Sequence, residues 1–252
     1  MPDYKVGQFN VMKKYFLILF IYSAVYSQSN SVIVTYKISN DEPLMTKSEK
    51  SQNPSVVSLF EEVEKILPNI EFQLHICNNK SKFYQVEALA INNNTDKIAR
   101  TLVDDTEYYF DFNLKSFECL RRFQNEEFRV KFIPIDNWQI TNESKYIDGF
   151  LCYKATTKRV EKTKYSDRSF DVIAWFTPEI PIQAGPKQFY NLPGLILELK
   201  DARITYLAVS IKLNEDLKCK SELISTKELL SIEEYKNKIE KRVDNYKATI
   251  KN

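Results

Sequence analysis

The sequence is short of the residues on which several large classes of function depend. Only four of its 252 residues are glycine, at Gly7, Gly149, Gly185 and Gly194, so phosphate-cradling loops, dinucleotide fingerprints, collagen and propeller repeats lack the residue that makes them work. Histidine occurs once, at His75, which excludes chemistry built on two or more imidazoles, including the helical zinc-protease motif and three-histidine zinc sites. No apolar run approaches the roughly 20 residues that span a bilayer; the run Tyr15 to Tyr22 is far shorter. Neither sign of charge dominates, with 36 basic and 34 acidic side chains. What the chain does have is 43% hydrophobic and 13% aromatic residues, enough to build a sizeable core.

Residues 1–27 read as an address. Lys13 and Lys14 precede the Tyr15 to Tyr22 run, and Ser23-Ala24-Val25-Tyr26-Ser27 follow it. A positive end, a short apolar core and small residues, in that order, make a secretory signal peptide, with Val25 and Ser27 at the two small-pocket positions before a cut ahead of Gln28. Met12 is an alternative start. The expected mature chain, 28–252, is then one β-rich domain ending in a helix at about 226–250. Removing Lys5, Lys13, Lys14 and Asp3 leaves its charges balanced, so nothing favours nucleic acid or an anionic membrane surface, and no transmembrane span remains. Export also changes the reading of Cys77, Cys119, Cys152 and Cys219. Thiols in an oxidising compartment can pair, and three pairings are open. The alternative is that Cys77 and Cys152 are small buried residues on strands. No Cys-x-x-Cys is present to suggest a zinc ribbon or a redox motif.

Along the mature chain the dominant period is two. Ser31 to Ile38, Glu71 to Cys77, Lys82 to Leu89, Glu107 to Phe112, Ser116 to Phe123 and Glu127 to Ile133 alternate apolar with polar residues, as half-buried strands do. Asn78-Asn79-Lys80 and Lys200-Asp201-Ala202 supply turns. Strands joined by turns continue from Trp138, and a final pair covers Leu195 to Leu199 and Arg203 to Leu213. Gly149, inside a strand pattern, suggests a bulge or a close backbone approach. His75 falls on the strand face opposite Leu74 and Ile76, a structural or solvent-facing position. Two segments have helical spacing: Val56 to Leu67, closed by Pro68, and Ile232 to Ile250, opened by a Ser231/Glu234 capping box. Asn92 to Asp105 reads as a loop or brief helix. The expectation is a curved antiparallel sheet or half-barrel meander of about nine to eleven strands, covered by one short and one C-terminal amphipathic helix.

Glycine and proline concentrate between Gly149 and Gly194, where Pro178, Pro181, Pro186 and Pro193 also lie. This region contains AWFTPEIPIQAGPKQFYNLPGLILELKD, Ala174 to Asp201, with Asn191-Leu192-Pro193-Gly194-Leu195-Ile196 at its heart. Upstream stand Trp138, Glu143, Lys145, Ile147, Gly149 and Cys152-Tyr153-Lys154-Ala155. Together these residues resemble the GLPGLI family of exported bacterial proteins, with Asn191 in place of the motif's first glycine and Phe150 in place of the usual tyrosine. Asn tolerates positive φ better than other non-glycine residues, so the turn can survive the first change. The resemblance implies a periplasmic or outer-membrane-associated protein of Bacteroidetes-type bacteria, found near TonB-dependent transport systems. It implies no activity.

Pro193-Gly194 has the chemistry of a tight turn feeding a buried strand. Trp175, Phe176, Phe189 and Tyr190 flank it with aromatic surface that also suits an apolar ligand. Acid–base chemistry would need a pair among Glu143, Asp148, Asp171 and Glu179, and their spacing does not enforce one. No catalytic residue, metal site or cofactor is assigned. The expected function is a non-catalytic cell-envelope binding or accessory protein that holds an apolar ligand or a protein segment on its sheet face, by analogy with lipoprotein-carrier half-barrels. An envelope hydrolase using carboxylates and a structural partner of an outer-membrane transport system stand as alternatives.

Overall fold

Period-two alternation becomes a twelve-stranded sheet in the computed structural model, which describes residues 31–39, 42–45, 53–87, 94–124, 126–162, 166–213 and 226–250. The expected export signal lies outside these residues. The strands are β1 (Val32–Ser39), β2 (Glu71–Cys77), β3 (Lys80–Gln85), β4 (Glu107–Asp111), β5 (Ser116–Phe123), β6 (Glu126–Lys131), β7 (Gln139–Ile147), β8 (Phe150–Lys162), β9 (Asp167–Thr177), β10 (Leu195–Asp201), β11 (Ile204–Leu213) and β12 (Leu229–Leu230). Their spatial order is β12-β6-β5-β4-β3-β2-β1-β11-β10-β9-β8-β7. All neighbours are antiparallel except β12 on β6. The sheet is open and curved, as expected. β1 divides it into two meanders, a β2–β6 wing and a β7–β11 wing, and the chain must pass from one outer end to the other between β6 and β7.

Register puts one set of side chains on a continuous inner face. Val34, Leu74 and Phe83 lie side by side across β1, β2 and β3, as do Tyr36 and Phe72. All five are buried. On the β2–β6 wing the inner face is a chain of rings: Phe72 and Phe83 stack at 5.4 Å, Phe83 meets Tyr108 at 6.5 Å, and Phe117 meets Phe110 at 5.5 Å. On the other wing the strands offer Ala155, Ala174 and Leu199 side by side, and the same core holds Ile180, Ala184, Phe189 and Leu192 of the connection between β9 and β10. That connection has no regular structure, yet its backbone is tied down. Leu195 N–H donates to the Ile180 carbonyl and Ile196 N–H to that of Ala184, both at 3.0 Å.

Turn chemistry explains the hairpins. Asn78 and Asn79 take φ of 50° and 57°, the paired left-handed conformation of a two-residue turn. Asp148 and Gly149 do the same at 48° and 84°, so Gly149 is the second residue of an Asp-Gly hairpin turn between β7 and β8. The expected bulge or close backbone approach is absent there, because a Cβ on Gly149 would meet nothing within 4 Å. His75 is on the face opposite Leu74, but it is only 6% exposed. Its Nε2 lies 2.9 Å from the Gln73 side-chain oxygen, and its ring lies 5.6 Å from that of Tyr84.

Among the described residues three α-helices accompany the sheet: α1 (Pro54–Ile66), α2 (Asn94–Leu102) and α3 (Ile232–Ile250). Asn53 caps α1 by accepting from the Ser55 and Val56 N–H groups, with Pro54 in the first turn where no N–H is needed. The capping box of α3 forms: Glu234 N–H donates to Ser231 Oγ at 3.2 Å, and Ser231 N–H donates to Glu234 Oε2 at 2.7 Å. The helix begins at Ile232 rather than near 226, because Leu229 and Leu230 pair with Arg129 and Val130 as β12. Ile232, Tyr235 and Ile239 of its apolar stripe pack on the core.

Candidate functional site

Curvature leaves an open cleft of about 1400 Å³ between the β5–β6 end of one wing and β8–β10 of the other. Drug-sized ligands fill pockets of about 300–1000 Å³, so this space suits an elongated ligand or a chain segment. Phe132, Ile133 and Ile135 of the β6–β7 connection, Tyr108, Phe170, Tyr206 and the start of α3 form its apolar surface. Ile133 is 92% exposed at this site.

The cleft also holds charges that the strand pattern places among apolar neighbours. Arg121 follows Phe117 and Cys119 at alternate positions of β5, Arg159 follows Ala155 and Thr157 on β8, and Asp201 follows Leu197 and Leu199 on β10. Alternation alone marks each of them as inward-facing. Sequence reasoning centred on aromatic residues missed all three, although a charged residue in the apolar register was the available signal. Asp201 is 4% exposed and accepts from Arg159 Nε and Lys187 Nζ, each at 2.8 Å. Burial pushes its carboxyl up, but the two cations outweigh burial and hold it below the ordinary aspartate range. Lys187 also lies 3.8 Å from Asp104. Asp104 in turn accepts from the Tyr108 hydroxyl at 2.5 Å and from the Thr106 N–H at 3.0 Å. Burial pushes the Tyr108 and Tyr206 hydroxyls well above their ordinary range, leaving both as neutral donors. An alternating row of cations and carboxylates therefore connects the wings. Its acids are partners of cations, an arrangement suited to holding ionised groups in place rather than to exchanging protons.

The aromatic residues named from sequence are not brought together at this cleft. Phe176 and Phe189 are 3% and 1% exposed core residues. Phe189 packs against Trp138 at 5.9 Å, and Trp138 Nε1–H donates to the Tyr190 carbonyl at 2.8 Å. Tyr190 rests on Phe110 at 4.6 Å, across to the opposite wing. Trp175 alternates with buried Ala174 and Phe176 and so lies on the outer face, where the Lys145 ammonium sits 4.4 Å from its ring centre and pairs with Glu198 at 2.6 Å. In the motif, Asn191 adopts φ of 70°, the conformation that its replacement of glycine requires. Leu192, Leu195 and Ile196 are buried. Pro193-Gly194 forms a turn in which a Cβ on Gly194 would stand 2.0 Å from the Thr177 carbonyl oxygen.

The four carboxylates considered for acid–base work are dispersed. Glu143 pairs with Lys154 at 2.9 Å, and Asp171 faces Lys158 at 3.7 Å. Glu179 accepts from the Leu151 N–H at 2.9 Å, and Asp148 occupies the hairpin turn. Cys77 is disulfide-bonded. Cys119 and Cys152 are free and buried. Burial pushes their thiols up to about 12 and about 11, which makes them unreactive packing groups.

Comparison with known proteins adds a match to a family model over part of the chain and a similar fold. A family model described as a protein of unknown function (Porph_ging) matches residues 158–198, from the middle of β8 through the motif into β10. No curated protein matches the chain. Two solved structures of PNGF-II are similar to it. The one in space group C2 has a TM-score of 0.50 at 13% identity, covering 83% of this chain and 32% of that one. The one in space group P21 has 0.49 at 14%, covering 83% and 33%. The chain thus spans about a third of the length of the structures it matches. At this identity the first likeness concerns the fold alone.

Proposed function

We propose that this is a cell-envelope binding protein that holds an elongated, partly apolar ligand or a protein segment in the cleft between its wings. The observation that carries the reading is the cleft itself: about 1400 Å³ of open space whose apolar surface includes Ile133 and the rings of Phe132 and Phe170. Asp104, Glu161 and Asp201 of its lining are ion-paired, which favours binding over acid–base catalysis. Membership of the GLPGLI family, suggested by the motif within the matched region, supports an exported, periplasmic or outer-membrane-associated protein of Bacteroidetes-type bacteria. The disulfide at Cys77 fits an oxidising compartment.

The test is purification of the full chain from the envelope of its native host, followed by mass spectrometry of what accompanies it. Ile133→Asp touches an exposed side chain, so the expected outcome is loss of the bound molecule with unchanged thermal unfolding. If Trp175→Ala releases the molecule and Ile133→Asp retains it, the site is on the outer face beside the motif and the cleft reading is wrong.

A second reading, a structural partner of an outer-membrane transport system, draws on β7. This strand ends the sheet with one edge unpaired and with Tyr146 and Ile140 exposed, features that favour strand addition by another protein. Co-purification with a transporter that depends on Tyr146 rather than on Ile133 would support it.

A further inference from the structure

We infer that the cleft takes an anionic amphiphile, a single apolar chain bearing a carboxylate or phosphate head, and that Arg121 anchors the head. The inference rests on the cleft being the binding site and names the chemistry of its ligand. Two observations carry it. The first is charge. Basic and acidic side chains balance in the chain after residue 27, yet seven basic and only four acidic side chains line the cleft. Asp201 is consumed by Arg159 and Lys187, and Glu161 is paired with Arg159. Lys158 pairs with Asp171 outside the lining, which leaves six basic against four acidic side chains, so the lining keeps a positive surplus.

The second observation is Arg121. It faces inward from β5 with its guanidinium carbon 4.9 Å from the ring centre of Phe132 and 5.6 Å from that of Tyr235. Among the described residues it makes no ion pair, and its Nε is the buried side-chain nitrogen without a hydrogen-bond partner. Asp104 and Asp105 act on it from a distance, and Asp104 already accepts from Tyr108 and the Thr106 N–H. A buried, unsatisfied donor on a cation is costly. The planar fork of arginine suits a carboxylate or phosphate, which would fill that vacancy with charge-assisted hydrogen bonds. The Phe132 and Tyr235 rings lie against the guanidinium, and Tyr235 and Cys119 take hydrogen bonds from it, which holds the fork in place while Nε stays unsatisfied. Lys236, exposed on the first turns of α3 and also lining the cleft, adds a second positive charge near Tyr235.

The full chain would be titrated with dansyl-undecanoate, and palmitate, hexadecyl phosphate and hexadecanol would then compete for the site. The two anions should displace the probe, and the alcohol should be weaker by about tenfold or more, the value of a charge-assisted hydrogen bond. The ratio between palmitate and hexadecyl phosphate identifies the head. Arg121→Met keeps the stem against Phe132 and Tyr235 and should bring the alcohol level with the anions, whereas Arg121→Lys should keep part of the preference. If Arg121→Met fails to fold, Lys236→Glu, on an exposed helix position, should weaken the anions and leave hexadecanol unchanged. Failure of the probe to bind, equal competition by the alcohol, or a folded Arg121→Met with its preference intact overturns the inference. Probe binding unaffected by Ile133→Asp would instead remove the cleft as the site, so the two failures are distinct.

Discussion

The two wings fill the same inner face by different means. On the β2–β6 wing the strands supply the volume themselves, through Phe72, Phe83, Tyr108, Phe110 and Phe117, all buried. On the β7–β11 wing Ala155, Ala174 and Ala208 stand on the inner face, and the β9–β10 connection contributes Ile180, Phe189 and Leu192 to the same core. Interiors tolerate few voids, so small strand residues and a buried, irregular connection are two parts of one solution. The difference assigns the Asn191 to Ile196 motif a role in packing. It closes a plug over the wing that cannot fill itself, and it couples the wings through Tyr190 on Phe110 and through the Tyr36 hydroxyl, which donates to the Ile196 carbonyl at 2.6 Å. The cleft lies beyond the plug, where rings and aliphatic side chains give way to the charged row.

The strongest way to break this comparison is at Gly194. A Cβ there collides with the Thr177 backbone, so Gly194→Ala should cost more than about 4 kcal/mol and prevent folding of the plug. At Gly149 the Cβ meets open space and only the positive φ resists, so Gly149→Ala should cost about 1 kcal/mol. Urea titrations of the two variants decide it, and similar costs would show that φ rather than close approach matters at Gly194.

Next in size is Phe189→Ala, which should destabilise by about 3–5 kcal/mol as a large-to-small change in a core. Trp175→Ala on the outer face should cost clearly less. A larger loss at Trp175 would mean that the motif's aromatic residues support the sheet from outside rather than plug it from within.

Somewhat smaller, at about 3 kcal/mol, is the cost of Asp201→Asn, which leaves Arg159 and Lys187 facing each other without their shared anion. The effect depends on pH in a definite direction. The folded-state pKa of Asp201 is lowered, so its stabilisation is complete above the unfolded aspartate value of about 3.9 and disappears as pH falls through the folded value. The difference in Tm between wild type and variant should therefore be full at neutral pH and close in acid. A difference constant across that range would show that the carboxylate acts by shape rather than by charge.

Much of the sheet was legible because alternation is a local property. Val32 to Ile38 and Glu71 to Cys77 declare their inner faces through their own side chains, and helical spacing closed by Pro68 and the Ser231/Glu234 capping box declare the two helices. Gly149 was misread because a bulge and an Asp-Gly turn share the same local signal until the partner strand is known. The aromatic cluster around the motif was visible as composition, but its division between core and outer face was not used, although period two already separates Trp175 from Phe176. The capping box placed the start of α3 at Ser231, whereas the rounded bound near 226 took in β12, which exists only through pairing with β6, far away in sequence.

By itself the sequence determined that this is a β-rich chain with two amphipathic helices, a turn-forming Asn-Leu-Pro-Gly motif and balanced charge after its first residues. These are consequences of residue-by-residue periodicity and backbone preference, which need no distant partner. Only the tertiary structure decided that the motif is a plug, that Arg159, Asp201 and Lys187 meet, and that Arg121 makes no ion pair among the described residues and keeps an unsatisfied Nε beside an open cleft. Burial and ion pairing depend on which strands are brought together across the curve of the sheet, and that distance is not written in any local pattern.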